Sequence, residues 1–534
     1  MVETKIPVLC ELIADCAAKA PERPILTVDV GGGFADEVRT YAQLWGNARR
    51  LAKGLRDRGL EPGQHFALLM ANHPEFVEAM IAACLTGTVF VPIDPRTRGD
   101  KLVFMLAHAD CRGVIAADYA VGNLAEIRSR VPDLTWVIGL ETQEGVGRTP
   151  EWTTTYASLM KAEVPATAFT PASPDSPMQL LFTSGTTGDP KAILMPHFRW
   201  VENASRVPLL CSWKADEKPY SGLSLTHANA QVLTLGASLV NGVPCVLSRK
   251  FTKSRLWDVT RKHGCTTFNL LGGMTTALYS EPQRPDDADN PVRFVCSAGM
   301  PAAIWENFER RFNVQILEFY GAAEGGMTFK PIGVGPVGSI GKTIPSLKQR
   351  IVDEQGREVP RGEPGELLFQ EANGQPYVVE YFRNPEASAK KCEGGWLHMG
   401  DVVVEDQDGW LFFQYRMGSG IRRNGDFINA AFIEKVIAEA PEVDDVYVYG
   451  IPSANGVPGE KDVVAAVVPK DPDLAAFDVQ GLYGLCRQKL EANFVPSYIQ
   501  VLSQIPKTAS EKPQDRFLVE ALETNPGAVH TEAR

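Results

Sequence analysis

The chain has 534 residues, more than a single hydrophobic core organises, so two or more domains are expected. Hydrophobic residues make up 44% and charged residues 22%, the balance of an ordinary globular protein. A formal net charge of -12 argues against a nucleic-acid partner and against a polybasic membrane patch. At the N-terminus, Val8, Leu9, Leu12, Ile13 and Cys16 fall at helical intervals with Pro21 as a stop, which reads as a helix and not a signal peptide. The longest apolar stretch, 76–92, contains Glu78 and reads as a core helix followed by a strand, not a membrane span. Short β-branched runs at 65–70, 113–116, 179–182, 245–247, 267–270, 294–296 and 315–319 predict strands. Between them, 102–107, 232–240, 253–262 and 302–311 carry helical spacing. That alternation predicts α/β layers with largely parallel strands, in which ligands collect at the carboxyl ends of strands. Residues 330–415 are rich in Gly and Pro and predict a β-rich subdomain. After Arg416 a helix at 431–439, strands at 445–449 and 463–468, and a helix at 482–493 predict a small α+β domain. The expected fold is therefore α/β: a large N-terminal domain over 1–415, a glycine-containing hinge over 416–420, and a small mobile C-terminal domain over 421–534.

The ten cysteines include no C-x-x-C pair, and Cys84, Cys245 and Cys296 lie in apolar runs. Buried thiols in a reducing compartment fit, and a cytoplasmic location is expected. The eight histidines show no ligand spacing, so no protein-held transition metal is expected.

The densest chemistry lies in Leu181-Phe182-Thr183-Ser184-Gly185-Thr186-Thr187-Gly188-Asp189-Pro190-Lys191. An apolar strand enters a loop of hydroxyls and glycines, and a second apolar stretch follows the lysine. Small residues let backbone N–H groups converge on one anion, the hydroxyls add donors, and Lys191 adds charge. This is the chemistry of a loop that wraps nucleotide phosphates; a flexible Gly/Ser/Thr hairpin is the plain alternative. It is not a Walker loop, because it runs from strand to strand and its lysine follows a proline. In Gly341-Lys342-Thr343 the glycine such a motif needs upstream is Pro336, so that segment is expected to be a turn.

Further segments occur in a fixed order. They are Ser297-Ala298-Gly299-Met300-Pro301, Tyr320-Gly321-Ala322-Ala323-Glu324, Trp396-Leu397-His398-Met399-Gly400-Asp401, Tyr415-Arg416 with Arg423-Asn424-Gly425-Asp426, and Pro506-Lys507-Thr508-Ala509-Ser510-Glu511-Lys512. Together with the Thr-rich loop they resemble the adenylate-forming superfamily of acyl- and aryl-CoA ligases, adenylation domains and luciferases. The resemblance covers nearly the whole chain. Tyr381-Phe382-Arg383-Asn384-Pro385 and Trp396-Leu397-His398 are most similar to acyl-CoA ligases of the carnitine/crotonobetaine type.

The resemblance implies a role for each matching residue. Thr183, Ser184, Gly185, Thr186, Thr187, Gly188 and Lys191 would hold the ATP phosphates. Ser297, Ala298 and Gly299 would meet adenine, beside Tyr320, Gly321 and Ala322. Glu324 would hold Mg²⁺, for which a carboxylate oxygen suits a hard cation; a solvated loop carboxylate is the alternative. Asp401 would accept the ribose hydroxyls, with turn capping as the alternative. Arg416 would pair with phosphate or ribose, or simply form a surface ion pair. Lys512 would neutralise charge developing at the α-phosphate, and Gly425 would line a channel for coenzyme A. His227 stands where the family carries a histidine or aromatic near the acyl carboxylate, with a core histidine as the rival reading. Asn229, Gln231 and Asn269 are candidate polar groups of the acid pocket, and Gly272-Gly273 would leave room for the acid. The chain departs from the family pattern at Ala323, Met399, Gly418 and Glu511, where the family usually has Thr, Thr, Asp or Lys, and Gly.

The expected activity is ATP-dependent ligation of a carboxylic acid to coenzyme A through an acyl-adenylate, releasing AMP and pyrophosphate. The partners would be the acid, ATP, Mg²⁺ and coenzyme A, with neither nucleic acid nor a membrane span; a homo-oligomer is compatible. Two alternatives stand beside it: an adenylation enzyme that loads a carrier protein, and a catalytically weak nucleotide-binding regulator. The stretches 223–231 and 267–274 contain no acidic residue. A buried ammonium would lack a partner there, so an acid without a free α-amino group is expected.

Overall fold

The structure, a computed structural model, describes residues 6–145, 153–164, 169–183, 190–417, 421–423, 426–428, 430–454, 461–508, 511 and 513–532. Two compact units divide the chain. One comprises Met1–Asn269, Asp289–Cys296 and Val379–Lys390; the other comprises Leu270–Ala288, Ser297–Val378 and Lys391–Arg534.

The first unit is built on parallel strands with helical crossovers, as the alternating sequence predicts. One sheet runs Thr154–Thr155, Trp136–Leu140, Cys111–Ala117, His65–Leu69, Val89–Ile93, Pro177–Thr183 and Lys191–Pro196. Neighbours are parallel up to Pro177–Thr183, which pairs antiparallel with Lys191–Pro196. The helix Pro74–Thr86 starts with proline at its first turn and ends on Gly87 at φ 69. It is buried almost all round, as its near-continuous apolar sequence requires. Its single interior charge, Glu78, is compensated: Arg39 Nε and Asn47 Nδ2 each donate to Oε1 at 2.8 Å, and the Tyr156 hydroxyl donates to Oε2 at 2.6 Å. A second sheet places Phe294–Ala298, Thr267–Leu271, Pro219–Ser221, Cys245–Ser248, Pro24–Asp29 and Glu37–Thr40 side by side. Among these, Pro219–Ser221 lies parallel to both Thr267–Leu271 and Cys245–Ser248, and the edge strand Glu37–Thr40 is antiparallel.

In the second unit the pattern turns antiparallel. Gln315–Ala322 folds back on Gly325–Lys330. Leu347–Val352, Pro364–Glu371, Leu397–Glu405 and Leu411–Arg416 form a four-stranded sheet. Near the C-terminus, Val443–Pro452, Lys461–Pro469, Tyr498–Val501 and Val529–His530 form another. The strand Lys461–Pro469 is apolar on both faces. Val463, Ala465 and Val467 join one core with the helices Ala430–Ala438 and Val479–Lys489, while Val464, Ala466 and Val468 join another with Leu518.

Two expectations need correction. Lys342–Thr343 is not a turn: it is a short strand paired antiparallel with Thr328 and Phe329, because Gly341 lets the backbones touch. A Cβ at Gly341 would stand 2.3 Å from the Phe329 carbonyl carbon. The helix expected over 232–240 is a π-helix, Ala230–Gly236, that continues as the α-helix Ala237–Asn241.

Candidate functional site

The Thr-rich loop bridges a hairpin. Thr183 and Lys191 face each other at its open end, and the Thr183 hydroxyl donates to the Lys191 carbonyl at 3.4 Å. Ser184, Gly185, Thr186, Thr187 and Gly188 lie outside the described residues, as do Gly418, Gly425 and Lys512. The Lys191 side chain is exposed, with Nζ 5.4 Å from the centre of the Tyr381 ring.

The second unit brings several expected residues together. The hairpin formed by Gln315–Ala322 and Gly325–Lys330 turns through only Ala323 and Glu324, and puts the Glu324 carboxylate at its tip. Gly321 is required there, since a Cβ would meet the Gly326 carbonyl oxygen at 2.7 Å. The Tyr320 hydroxyl donates to Asp401 Oδ2 at 2.5 Å, and Arg416 Nε lies 3.7 Å from Asp401 Oδ1. Asp401 and Arg416 are direct cross-strand neighbours. Burial and the Asp401 charge push the Tyr320 phenol well above its usual range, so it stays a hydrogen-bond donor. Next to Asp401, Glu366 accepts from the Gly400 N–H at 3.0 Å and faces His398 Nδ1 at 3.1 Å. That contact raises the His398 pKa above the usual histidine range.

Ser297 and Ala298 end the strand Phe294–Ala298, and the chain turns at Gly299, held by a residue that no sequence motif singles out. Glu318 is buried, and its carboxylate accepts from the N–H of Gly299 at 2.5 Å and of Met300 at 3.2 Å. Burial pushes its carboxyl up to about 8, and the N–H bonds only partly offset this. Gly272 packs on the same turn: a Cβ there would meet the Gly299 carbonyl at 3.1 Å. Gly273 stands against the backbone of Glu511, where a Cβ would lie 3.5 Å from the Glu511 carbonyl. Glu511 itself has φ 59, the left-handed region in which glycine carries no steric cost, so the departure from the family glycine keeps a glycine-type backbone.

Of the expected acid-side residues, His227, Asn229 and Asn269 gather in the first unit, and Gly272 and Gly273 belong to the second. His227 Nδ1 accepts from the Asn229 N–H at 3.2 Å. Asn269 Nδ2 donates to Asn229 Oδ1 at 3.0 Å and to Thr234 Oγ1 at 2.9 Å. Among the described residues, Asn229 Nδ2 and Thr267 Oγ1 are buried without a hydrogen-bond partner, and Thr267 and Asn269 line a small cavity with Trp213, Leu233 and Phe294. Gln231, considered for this wall, is fully buried in a reciprocal amide pair with Gln179 at 2.9 and 3.0 Å and also donates to the Leu225 carbonyl. Both hydrogens of its amide are thus engaged within the first unit. Thr234 was hidden in an apolar run, and only its place on the π-helix turns it toward Asn269.

The site around Glu324 and Asp401 offers carboxylate oxygens, with cations in Arg416 and Lys391 and neither cysteine nor imidazole on the hairpin tip. That donor set fits Mg²⁺ bound with a nucleotide better than a transition metal.

The AMP-binding enzyme model matches residues 13–375, and the AMP-binding enzyme C-terminal domain model matches 433–512. The chain is 30% identical to the medium/long-chain-fatty-acid–CoA ligase FadD17 of Mycobacterium marinum, over 92% of this chain and 93% of that protein. It is 26% identical to the crotonobetaine/carnitine–CoA ligase of Salmonella agona, over 89% and 91% of the two chains. The crystal structure of the anthranilate CoA ligase AuaEII with anthranoyl-AMP superposes with a TM-score of 0.83 at 20% identity, covering 98% of each chain, and so shares the fold. The chain belongs to the AMP-binding enzyme family, the adenylate-forming superfamily.

Proposed function

We propose that this protein is an AMP-forming acid–CoA ligase that activates a carboxylic acid with ATP and transfers the acyl group to coenzyme A. The observation that carries this reading is the convergence, in one unit, of Tyr320, Asp401 and Arg416 beside the Glu324 hairpin. The reactants are ATP with Mg²⁺, the acid, and coenzyme A. When bound, Mg²⁺ held by Glu324 offsets phosphate charge.

The protein residues divide the work. The loop from Thr183 to Lys191 holds the phosphates, with Lys191 released from its place over Tyr381. Asp401 orients the ribose through Oδ1, while its Oδ2 is fixed by Tyr320. Glu318 sets the turn at Gly299, and with it the strand end of Ser297 and Ala298, against the base. The acid carboxylate attacks the α-phosphate and pyrophosphate leaves, with Lys512 meeting the charge that builds there. Residues 421–534 then act as a small domain that turns about 416–420 and brings Gly425 to the thiol of coenzyme A, which displaces AMP. Asn229, Asn269 and His227 face the acid, with Gly272 and Gly273 leaving space for it.

No helix among the described residues is long and apolar enough to cross a membrane. The thiols described as buried, such as Cys84 and Cys296, support a reducing, cytoplasmic setting. The test is pyrophosphate release over a panel of acids that includes the twenty amino acids, with and without coenzyme A. A non-amino acid should support the fastest release, and acyl-CoA should appear only with coenzyme A. Fastest release with an amino acid would favour carrier-protein loading instead.

A further inference from the structure

Lys391 ends the helix Pro385–Lys391 and is half-buried. Its ammonium has three donors, yet among the described residues it makes one long hydrogen bond, to the Met399 carbonyl at 3.4 Å. Met399 stands two residues before Asp401 in the same strand, Leu397–Glu405. The charges that act on Lys391 are those of the nucleotide site: Glu324, Asp401 and Glu366 favour its ammonium, and Arg416 opposes it. All three carboxylates are already engaged, Glu366 with the Gly400 N–H and His398, Asp401 with Tyr320, and Glu324 in an interaction of its own. Among the described residues those spare donors have no second protein partner, so a nucleotide oxygen arriving beside Asp401 would take the place of water on them.

We propose that Lys391 is a nucleotide-contacting residue, whose ammonium leaves the Met399 carbonyl and donates to a sugar–phosphate oxygen of bound ATP. This rests on the nucleotide site described above. It also accounts for Ala323: the hairpin tip lacks a hydroxyl, and Lys391, which lies in the field of Glu324 on that tip, supplies a donor to the same guest. Burial lowers the lysine pKa below the usual range, which increases the amine fraction open to an aldehyde. Lys390, the preceding residue, is exposed and serves as the control.

The probe is ATP whose ribose has been opened by periodate to the 2′,3′-dialdehyde. The lysine amine adds to an aldehyde, water leaves to give the imine, and borohydride delivers hydride to the imine carbon, fixing a secondary amine. Peptide mapping should place the adduct on Lys391 and not Lys390, and excess ATP should suppress it. Lys391→Met should raise the KM for ATP about tenfold, the scale of one lost charge-assisted bond, with the KM for the acid unchanged. Lys391→Arg should recover most of the ATP affinity, which a residue needed only for folding would not predict. An adduct elsewhere, an adduct on Lys391 that ATP does not suppress, or a wild-type KM for ATP in Lys391→Met would overturn the proposal. Failure of every acid to release pyrophosphate from the wild-type protein would sink the ligase reading, while an ATP-protected adduct on Lys391 would still uphold the contact.

Discussion

Glu318 carries a carboxylate to the place where the N–H groups of Gly299 and Met300 converge. Burial holds its proton up to about pH 8 in the folded protein, against 4.5 for an exposed glutamate. Between those values the folded chain keeps a proton that the unfolded chain has released. The stabilisation is therefore full below about pH 4.5 and is lost as pH rises towards 8. Glu318→Gln removes the titration while keeping an acceptor oxygen. Urea midpoints measured from pH 5 to pH 8 should show the wild type losing on the order of a few kcal/mol relative to the variant. Parallel profiles would mean that Glu318 is ionised in the fold. A second residue-scale prediction concerns Lys512, which is assigned to the first half-reaction alone. Lys512→Ala should lower adenylate formation by roughly 10²–10³ and spare thioester formation from supplied acyl-adenylate. Equal losses in both steps would remove that assignment.

At the scale of elements, the π-helix Ala230–Gly236 is the feature that shapes the proposed acid side. Wide turns of this kind recur at functional sites because the extra residue per turn re-aims side chains. Here Gln231 is pinned to Gln179, and Thr234 reaches Asn269. Gly236 closes the element against Trp200 and Ala204. A Cβ there would lie 3.0 Å from each of those side chains and 2.7 Å from the Gln231 carbonyl. Gly236→Ala should destabilise the protein by about 1–3 kcal/mol through overpacking, read as a lower urea midpoint with an unchanged slope. A neutral result would show that the helix has room to rewind as an α-helix. The Glu324 hairpin is the corresponding device on the nucleotide side, a two-residue connection that leaves Glu324 little freedom of position.

For the whole molecule, the proposed cycle asks one chain to run two reactions with different parts of its last hundred or so residues. Lys512 serves adenylation and Gly425 serves thiol entry. Gly425→Trp should leave pyrophosphate release intact while acyl-CoA yield collapses, as measured by separate assays of the two half-reactions. A matching fall in both would make Gly425 a folding residue. The same separation bears on partner choice, because a carrier-protein enzyme would show the first reaction and no coenzyme A product.

Much of this was legible in the linear order of residues. The strands at 65–70, 179–182 and 315–319 and the helix at 431–439 declare themselves by local period, since each buries a face set by neighbours a few residues away. The hydroxyl- and glycine-rich loop stands out in the sequence because its chemistry is contiguous, and residues 184–189 lie outside the described residues. What the tertiary structure alone decided is pairing at a distance. Tyr320 meets Asp401 from 81 residues away, and Glu318 meets Gly299 from 19. Nothing in a carboxylate's immediate sequence says whether it will bind a ligand, cap a turn or take another side chain's proton donor. The π-helix was hidden because apolar spacing constrains which face is buried and not the number of residues in each turn. Lys391 and Gln231 exchange expected importance for the same physical reason: a polar side chain's role depends on whether its hydrogen bonds are already satisfied, and that is settled only when distant strands have come together.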